Sequence, residues 1–261
     1  MDKLKQLIEK YGKNKINSLT KYPSILTLHE LGGKGKLTDI LTTDIKNETL
    51  YPSEKIDGTN VRIICLGNEY LIGSRKEILY YSGDLYWNEA LDIVSQIKTL
   101  NVTIPDNFDK LTIIYGELYG GKVTAASKNY GKDKYGFRVF DIAEIEDLSI
   151  LEKDIKEISS WRESTINSNI SKQLRYGQSF YNIDELISHG HIFDIVPYLS
   201  NTIFTDCEHT TVYNYLKISL PKSKCILSEQ GLGKAEGIIL RNYDRSKIVK
   251  IRFQDYIKTL R

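Results

Sequence analysis

Short apolar runs dominate the hydrophobic pattern of the chain, and only a few stretches have helical spacing. Leu4, Leu7 and Ile8 recur at helical spacing, so we expect a first helix that ends near Gly12. Two β-prone runs, residues 61–66 and 69–72, flank Gly67-Asn68, which predicts a tight hairpin. The pattern predicts further strands at residues 111–115, 137–142, 237–240 and 248–253, and further helices at residues 85–99, 147–159, 182–189 and 208–218.

Strands and helices are interspersed without a regular βαβ rhythm, which favours an α+β fold with largely antiparallel sheets and flanking helices. The polar stretch 163–179 has weak patterning and is interpreted as a surface insertion. A length of 261 residues is enough for one large domain. We therefore expect a single domain over residues 1–261, with residues 1–49 as a lead-in segment and no separate C-terminal domain.

Composition excludes several classes of protein. Hydrophobic residues make up 41% and charged residues 27%, as in ordinary soluble globular proteins, and a net charge of +2 says little about partners. Cys65, Cys207 and Cys225 are odd in number and lack a C-x-x-C pair, which argues against a disulfide framework and a structural zinc site. A reducing, cytoplasmic compartment fits that usage. The sequence has neither a signal peptide nor an apolar run long enough to span a membrane.

Two features that resemble ligand-binding sites are interpreted as having no such role. The run Gly-Gly-Lys-Gly-Lys at 32–36 resembles a phosphate-binding loop only superficially, because the fixed positions of the Walker pattern are absent. The four histidines form no metal-ligand spacing with the cysteines, and we interpret all of them as structural or surface residues: His29, His189, His191 and His209.

Five stretches that carry chemistry follow one another in a fixed order. They are Glu-Lys-Ile-Asp-Gly-Thr-Asn at 54–60, Tyr-Gly-Glu-Leu-Tyr-Gly at 115–120, Phe-Arg-Val-Phe-Asp-Ile at 137–142, Ala-Glu-Gly-Ile-Ile-Leu at 235–240 and Lys-Ile-Val-Lys-Ile-Arg at 247–252. The first places Lys55 at the end of a predicted strand; taken alone, it could be a solvated charged turn. Lys250 and Arg252 are two apart on a predicted strand, so both point to one face, as a pair of cations around a phosphate would.

Together, these stretches resemble the motifs of the covalent nucleotidyltransferases, which comprise DNA ligases, RNA ligases and mRNA capping enzymes. The resemblance covers residues 50–255 and implies a nucleotidyltransferase (adenylation) domain with the ATP site between its sheets. Asn60 stands where DNA ligases and capping enzymes usually have arginine, so the sequence is most similar to the RNA-ligase-2-like branch. Two alternatives stay open: a DNA ligase of the same superfamily, and a binding module that has the fold without the chemistry.

The resemblance implies an ATP-dependent ligase that joins 3′-OH and 5′-phosphate RNA ends, as in RNA repair. In that chemistry Lys55 attacks ATP and carries AMP, with Lys250 at the α-phosphate and Glu236 near the metal. The amine must be neutral to attack, which desolvation or nearby positive charge would favour, so we expect a need for Mg²⁺ or Mn²⁺.

The resemblance also assigns the remaining site residues. Glu236 and Asp57 would hold the metal through water, Glu117 would bind the ribose, and Phe137 would stack on adenine. Arg252 replaces a lysine found in many relatives, which keeps the charge but changes the geometry. The other expected nucleotide or end contacts are Glu54, Gly58, Asn60 and Arg75.

The expected partner is RNA. Lys34, Lys36 and four lysines of the stretch 120–135 are candidates for backbone contacts, although a solvated loop explains them equally well: Lys122, Lys128, Lys132 and Lys134. Few residues follow Arg252, where ligases usually carry a further domain. The expectation is therefore a minimal ligase, a ligase whose RNA contacts come partly from a separate protein, or a shortened chain.

Overall fold

The computed structural model describes residues 3–88, 92–164 and 177–261. Its helices are α1 Lys3–Tyr11, α2 Lys13–Leu19, α3 Ile93–Thr99, α4 Ile155–Glu163, α5 Ile183–Ser188, α6 His209–Ser219 and α7 Phe253–Thr259. Its strands are β1 His29–Leu31, β2 Leu37–Leu41, β3 Tyr51–Lys55, β4 Thr59–Gly67, β5 Glu69–Ser74, β6 Ile78–Tyr81, β7 Leu85–Tyr86, β8 Phe108–Gly120, β9 Tyr135–Ile145, β10 Ser179–Phe180, β11 Gly237–Arg241 and β12 Ile248–Arg252. The α+β class with antiparallel sheets is confirmed.

The chain divides into two compact units, and each is assembled from separate stretches of sequence. Unit 1 comprises Met1–Pro23, Thr59–Leu118 and Gly136–Ile195. Unit 2 comprises Ser24–Gly58, Tyr119–Tyr135 and Val196–Arg261. The predicted lead-in segment is therefore shared between both units, and the interpretation of the chain as one nucleotidyltransferase domain stays a prediction.

Unit 1 contains most of a seven-stranded sheet with the order β10-β9-β8-β4-β5-β6-β7. The predicted hairpin of β4 and β5 is confirmed, and Gly67 adopts a φ of 61° where the chain turns. Helices α1, α2 and α4 cover one face, where side chains such as Leu19, Ile113 and Ile158 are fully buried in one apolar cluster. The period-two pattern and helical spacing of the sequence thus build a separate core for this unit.

Unit 2 is organised around a three-stranded antiparallel sheet with the order β12-β11-β3, so that β11 is central. One face of this sheet packs in a second apolar cluster that includes Ile238, Leu240 and Ile251, together with residues of α6 and α7. A smaller antiparallel pair, β1 and β2, belongs to the same unit. The predicted helix at 208–218 is confirmed as α6.

Three predicted elements differ from the observed ones. Residues 85–99 do not form one helix, because Leu85 and Tyr86 pair with Tyr81 and Tyr80 as edge strand β7 and the described helix begins only at Ile93. The predicted helix 147–159 is split into a 3-10 turn and α4, because the side chain of Asp154 caps a new helix. Phe253 was predicted to end a strand but begins α7.

The remaining expectations concern the glycine-rich stretch, the cysteines, membrane-spanning helices and the predicted surface insertion. The glycine-rich stretch at 32–36 contains a short 3-10 turn, Gly33–Gly35. All three cysteines are free and buried, and the described residues contain no group of three or more His, Cys, Asp or Glu side chains suited to a metal ion. Within the described ranges, no helix combines the length and the apolar character that crossing a bilayer requires. Residues 165–176 of the predicted surface insertion lie outside the described residues.

Candidate active site

Strand register in unit 2 places Lys55, Gly237 and Arg252 side by side in one row across the three-stranded sheet. Gly237 on the central strand β11 lies opposite Lys55 on β3 and opposite Arg252 on β12. Lys250 lies two residues before Arg252 and therefore belongs to the same face. Both cations of β12 are half-buried, whereas the alternating Val249 and Ile251 are buried. Strand geometry thus brings three cationic side chains to one face of the sheet.

Gly237 has no room for a side chain. A Cβ atom there would overlap the carbonyl oxygen of Ile251 and lie 2.8 Å from Cα of Arg252. The backbone of β12 thus approaches β11 so closely between Lys55 and Arg252 that only glycine fits at this position.

Lys55 and Glu236 form the central ion pair of this face. The Nζ atom of Lys55 donates a hydrogen bond to Oε2 of Glu236 over 2.6 Å. The lysine side chain is 27% exposed and the glutamate side chain 15% exposed, so the pair is partly desolvated but open on one side. An amine in this position is accessible to a reactant while a carboxylate holds it in place.

The carboxyl group of Glu236 has a perturbed acidity. Burial raises the pKa of Glu236, and the negative charge of Asp57 acts in the same direction, while the Lys55 ammonium and the Arg252 guanidinium oppose that rise. Asp57 is thus close enough to Glu236 for a charge interaction. A cation that completes its shell with water and phosphate oxygens fits a pair of carboxylates of this kind.

Arg252 is held by Asp255 from the first turn of α7. The Nε–H group of the guanidinium donates a hydrogen bond to Oδ2 over 2.8 Å, and its Nη2–H group donates one to Oδ1 over 3.0 Å. The contact is therefore bidentate. Asp255 is buried, with 6% of its surface exposed. The helix that follows β12 therefore fixes the orientation of Arg252.

Glu54 lies on the other face of β3 from Lys55. It is opposite Ile238 in the register and is buried. Its carboxylate accepts hydrogen bonds from the Ser223 hydroxyl and from the backbone N–H of Lys224, the latter over 2.8 Å. The structure thus ties Glu54 to the chain segment before β11 and places its side chain away from the cationic face.

Tyr130 supports the turn after Lys55, although no pattern in the sequence marks it as a site residue. Its hydroxyl oxygen accepts a hydrogen bond of 2.7 Å from the backbone N–H of Asp57. The ring is buried and contacts Tyr119 edge to face, and burial raises the pKa of the Tyr130 phenol. Asp57 and Gly58 follow β3 in this supported turn.

Unit 1 carries Asn60 and Glu117 as directly opposed residues of β4 and β8. Both are half-buried, and the Asn60 Oδ1 atom is buried without a hydrogen-bond partner among the described residues. Glu117 lies inside β8, which continues to Gly120, whereas the predicted strand 111–115 ended before it. The pairing of β4 with β8 thus places these two predicted site residues next to each other.

Phe137 and Arg75 occupy other positions in unit 1. The Phe137 ring is 8% exposed and lies over Gly116, where a Cβ atom would overlap it. Because neighbouring strand residues point to opposite faces, Phe137 does not share the face of Glu117. Arg75 is exposed in the turn between β5 and β6. The stacking role of Phe137 and the phosphate role of Arg75 therefore stay predictions.

The family of the chain follows from a family model described as RNA ligase, which matches residues 48–257. That match covers most of the 261 residues, and the chain belongs to the RNA ligase family. The matched range includes every residue of the cationic face of unit 2 and the opposed pair of unit 1. The resemblance seen in the sequence is confirmed at the level of the family.

Individual relatives are more distant. The protein Early 65 kDa of Autographa californica nuclear polyhedrosis virus is 33% identical over 102 residues, which are 39% of this chain and 16% of the viral protein. A Naegleria gruberi RNA ligase variant with AMP and Mn has a TM-score of 0.45 at 14% identity, covering 91% of this chain and 63% of that one. Another variant of that ligase, with ATP and Mn, has a TM-score of 0.48 at 14% identity, covering 92% and 62%. The chain thus spans less than two thirds of the length of these relatives.

Proposed function

We propose that the chain is an ATP-dependent RNA ligase that joins a 3′-OH end to a 5′-phosphate end through AMP bound covalently to Lys55. The observation that carries the proposal is the partly exposed Lys55 amine, held 2.6 Å from Glu236 on a face that also carries Lys250 and Arg252. Membership of the RNA ligase family supports the same activity. Lysine is a suitable nucleophile once neighbouring groups favour its neutral form.

The first step forms a bond between the Lys55 nitrogen and the α-phosphorus of ATP, breaks the bond to pyrophosphate and releases the amine proton. In the second step an oxygen of the RNA 5′-phosphate attacks the same phosphorus, and the Lys55 amine leaves. The 3′-OH then attacks the activated 5′-phosphate, so that a phosphodiester forms and AMP is released. Lys250 and Arg252 provide fixed positive charge near the phosphates. The attraction between these cations and the phosphates strengthens as negative charge develops in the transition state.

The residues present fit a divalent cation. Glu236 and Asp57 offer two carboxylates that interact with each other, and Mg²⁺ or Mn²⁺ typically adds waters and substrate phosphate oxygens to one or two such ligands. When bound, the cation supplies positive charge that favours the neutral amine and stabilises the phosphates. Glu236 and Asp57 would hold it; Asp255 would instead keep Arg252 in place.

Self-adenylation tests the proposal. Purified protein, freed of carried-over AMP, is incubated with α-phosphate-labelled ATP and Mg²⁺ or Mn²⁺ and then denatured. We expect acid-labile label on the wild type and on Lys217→Ala, an exposed lysine of α6 in the same unit. Lys55→Ala and Lys55→Met should carry none, provided that thermal unfolding shows both variants to be folded. An unlabelled wild type would overturn the enzymatic function and leave a binding module.

Sealing assays separate the two kinds of ligase. Nicked duplexes with RNA or DNA at the 3′-OH and 5′-phosphate ends are incubated with the labelled protein, and ligated product is measured. The proposal requires faster sealing of RNA ends. Equal or faster sealing of DNA ends would assign the chain to the DNA ligase alternative, and the Asn60→Arg variant would then be compared on both substrates.

A further inference from the structure

Two loop segments of unit 2, residues 119–135 and 221–234, pack side by side to form what we call the double loop. Backbone hydrogen bonds join them: Leu227 to Tyr130 over 2.8 Å, Leu232 to Lys128 over 3.0 Å and Gly233 to Asn129 over 2.8 Å, with each first residue donating its N–H. The two segments are 85 or more residues apart in sequence, so only the fold makes them one surface.

The double loop concentrates positive charge. It holds seven lysines against two acids, Asp133 and Glu229, and therefore has a net charge of +5 in a chain whose total is +2. The remainder of the chain is net negative, so the near-neutral total conceals a strongly basic surface. All seven lysines are exposed: Lys122, Lys128, Lys132, Lys134, Lys222, Lys224 and Lys234.

These ammonium groups are not used for internal ion pairs. Across residues 3–88, 92–164 and 177–261, the salt bridges involve other lysines, such as Lys110 with Glu144 and Glu146. Of the two acids, Asp133 accepts a hydrogen bond of 2.9 Å from the Ser228 hydroxyl instead. Seven exposed like charges on one surface repel each other, and a bound polyanion would relieve that repulsion.

The backbone of the double loop is preorganised. Gly121 has a φ of 52° and lies against the Tyr135 ring, and Gly233 has a φ of 71° and lies against the Lys222 stem. Residues that carry a side chain rarely adopt such φ angles, so these turns require glycine. The 3-10 helix Ala125–Asn129 begins with a capping box at Thr124. A surface that is already ordered loses little conformational entropy when it binds a ligand.

The double loop is bonded to the residues on either side of Lys55. Ser223 and Lys224 donate hydrogen bonds to the Glu54 carboxylate, and the Tyr130 hydroxyl accepts one from the Asp57 N–H. The double loop is therefore fixed to the chain on both sides of Lys55, through the face of β3 opposite to Lys55 and through the turn that follows the strand.

We propose that the double loop binds the phosphodiester backbone of the RNA strand that is to be sealed, and this inference rests on the proposed function. Lysines recognise phosphates as point charges without reading sequence, which suits an enzyme that joins ends of varied sequence. A protein partner would need an apolar centre, yet in the described part of the double loop the exposed large apolar side chain is Leu232 alone.

The test measures binding of a fluorescent 5′-phosphorylated RNA by anisotropy, without ATP, across a series of salt concentrations. The variant carries Lys128→Gln, Lys132→Gln and Lys234→Gln. The matched control removes the same charge from exposed lysines of unit 1 through Lys5→Gln, Lys153→Gln and Lys156→Gln. Thermal unfolding of both checks that they are folded.

We expect the double-loop variant to bind RNA at least ~10-fold more weakly at low salt, with a slope of log affinity against log salt reduced by about 2 to 3, because each lost phosphate contact removes ~0.7–0.9. The control should match the wild type. Equal affinity and slope in all three proteins, or equal losses in both variants, would overturn the inference. Since the assay needs no chemistry, it is independent of wild-type self-adenylation, whose failure would overturn the proposed function instead.

Discussion

Asp255 binds the guanidinium of Arg252 through two hydrogen bonds, and it is the helix after the last strand that supplies the carboxylate. A cation that contacts phosphate must be held in one orientation to stabilise a transition state, and a bidentate carboxylate provides that orientation while it offsets part of the guanidinium charge. The orientation of the Arg252 side chain therefore depends on Asp255, which lies outside the five stretches found in the sequence.

Asp255→Asn is expected to lower the rate of self-adenylation about 10-fold, because the amide cannot hold the guanidinium through two charged hydrogen bonds. The loss should appear at saturating ATP, which indicates altered orientation and not weaker binding alone. Initial rates of label incorporation measure it. Asp109→Asn, an exposed acid of unit 1, is the control and should keep the wild-type rate. An unchanged Asp255→Asn rate would contradict the positioning role.

Tyr130→Phe removes the hydroxyl that accepts the Asp57 N–H and leaves that donor without its partner. Leaving such a donor unpaired costs ~1–3 kcal/mol of unfolding free energy, and we expect a loss in that range from denaturant titration. Because the turn after Lys55 loses its support, the self-adenylation rate should fall severalfold as well.

Tyr119→Phe is the comparison for that variant, since the rings of Tyr119 and Tyr130 pack against each other. If both phenylalanine variants lose stability but keep the full rate of adenylation, Tyr130 is structural only.

Gly237→Ala should unfold the sheet of unit 2 or strongly destabilise it, because a methyl group would overlap the backbone of β12. Overpacking of this kind costs ~1–3 kcal/mol or more. Differential scanning calorimetry would show a clear drop in the unfolding temperature. Gly190→Ala is the matched control, because a Cβ there meets only Ile195 at 3.9 Å and should be tolerated. Equal unfolding temperatures of the two variants would show that the strands can separate to admit a side chain.

His29 is expected to make the stability of the fold depend on pH. It is buried, its Nε2 donates to the Cys207 carbonyl over 2.8 Å, and its Nδ1 lies 2.9 Å from the Tyr256 hydroxyl, which donates to it when the ring is neutral. Burial lowers the pKa of His29, with a smaller contribution from His209 in the same direction.

The unfolded chain therefore takes up a proton near pH 6.5 while the folded chain does not. Stability is fully present above pH 6.5 and is lost as pH falls from there towards the lower pKa of the folded state, by up to ~1.4 kcal/mol per pH unit. Denaturant titrations across this range measure the slope, and NMR titration of the His29 ring identifies its source. A His29 ring that titrates at or above the ~6.5 of a free histidine would contradict the assignment.

Much of the cationic face could be predicted from the sequence because strands have a period of two. That period alone places Lys250 and Arg252 on one face, and the motif order links them to Lys55 and Glu236. The same period places Phe137 and Glu117 on opposite faces of the sheet, but this can be derived only when the pairing of their strands is known. Register is a property of the folded sheet, so the opposition of Asn60 and Glu117 could not be derived from spacing.

Residues that act through tertiary contacts left no local signal. Tyr130, Ser223 and Asp255 stand in stretches that resemble ordinary loops or helices, and their partners are distant in the chain or on another element. Arg62 shows the same limit in unit 1: it is fully buried on β4, donates to the Asn17 carbonyl over 2.9 Å, and burial lowers its pKa to about 10. A charged residue in an apolar run predicts exposure until such a partner is visible.

The central position of β11 has a consequence for how the protein forms. β3 pairs with a strand that begins at Gly237, and the Lys55–Glu236 contact spans 181 residues. Closing so long a loop is entropically costly and slow, and contacts of this kind form late in folding. A folding intermediate in which β3 has not yet paired with β11 therefore contains Lys55 without the Glu236 carboxylate that holds its amine in the folded protein.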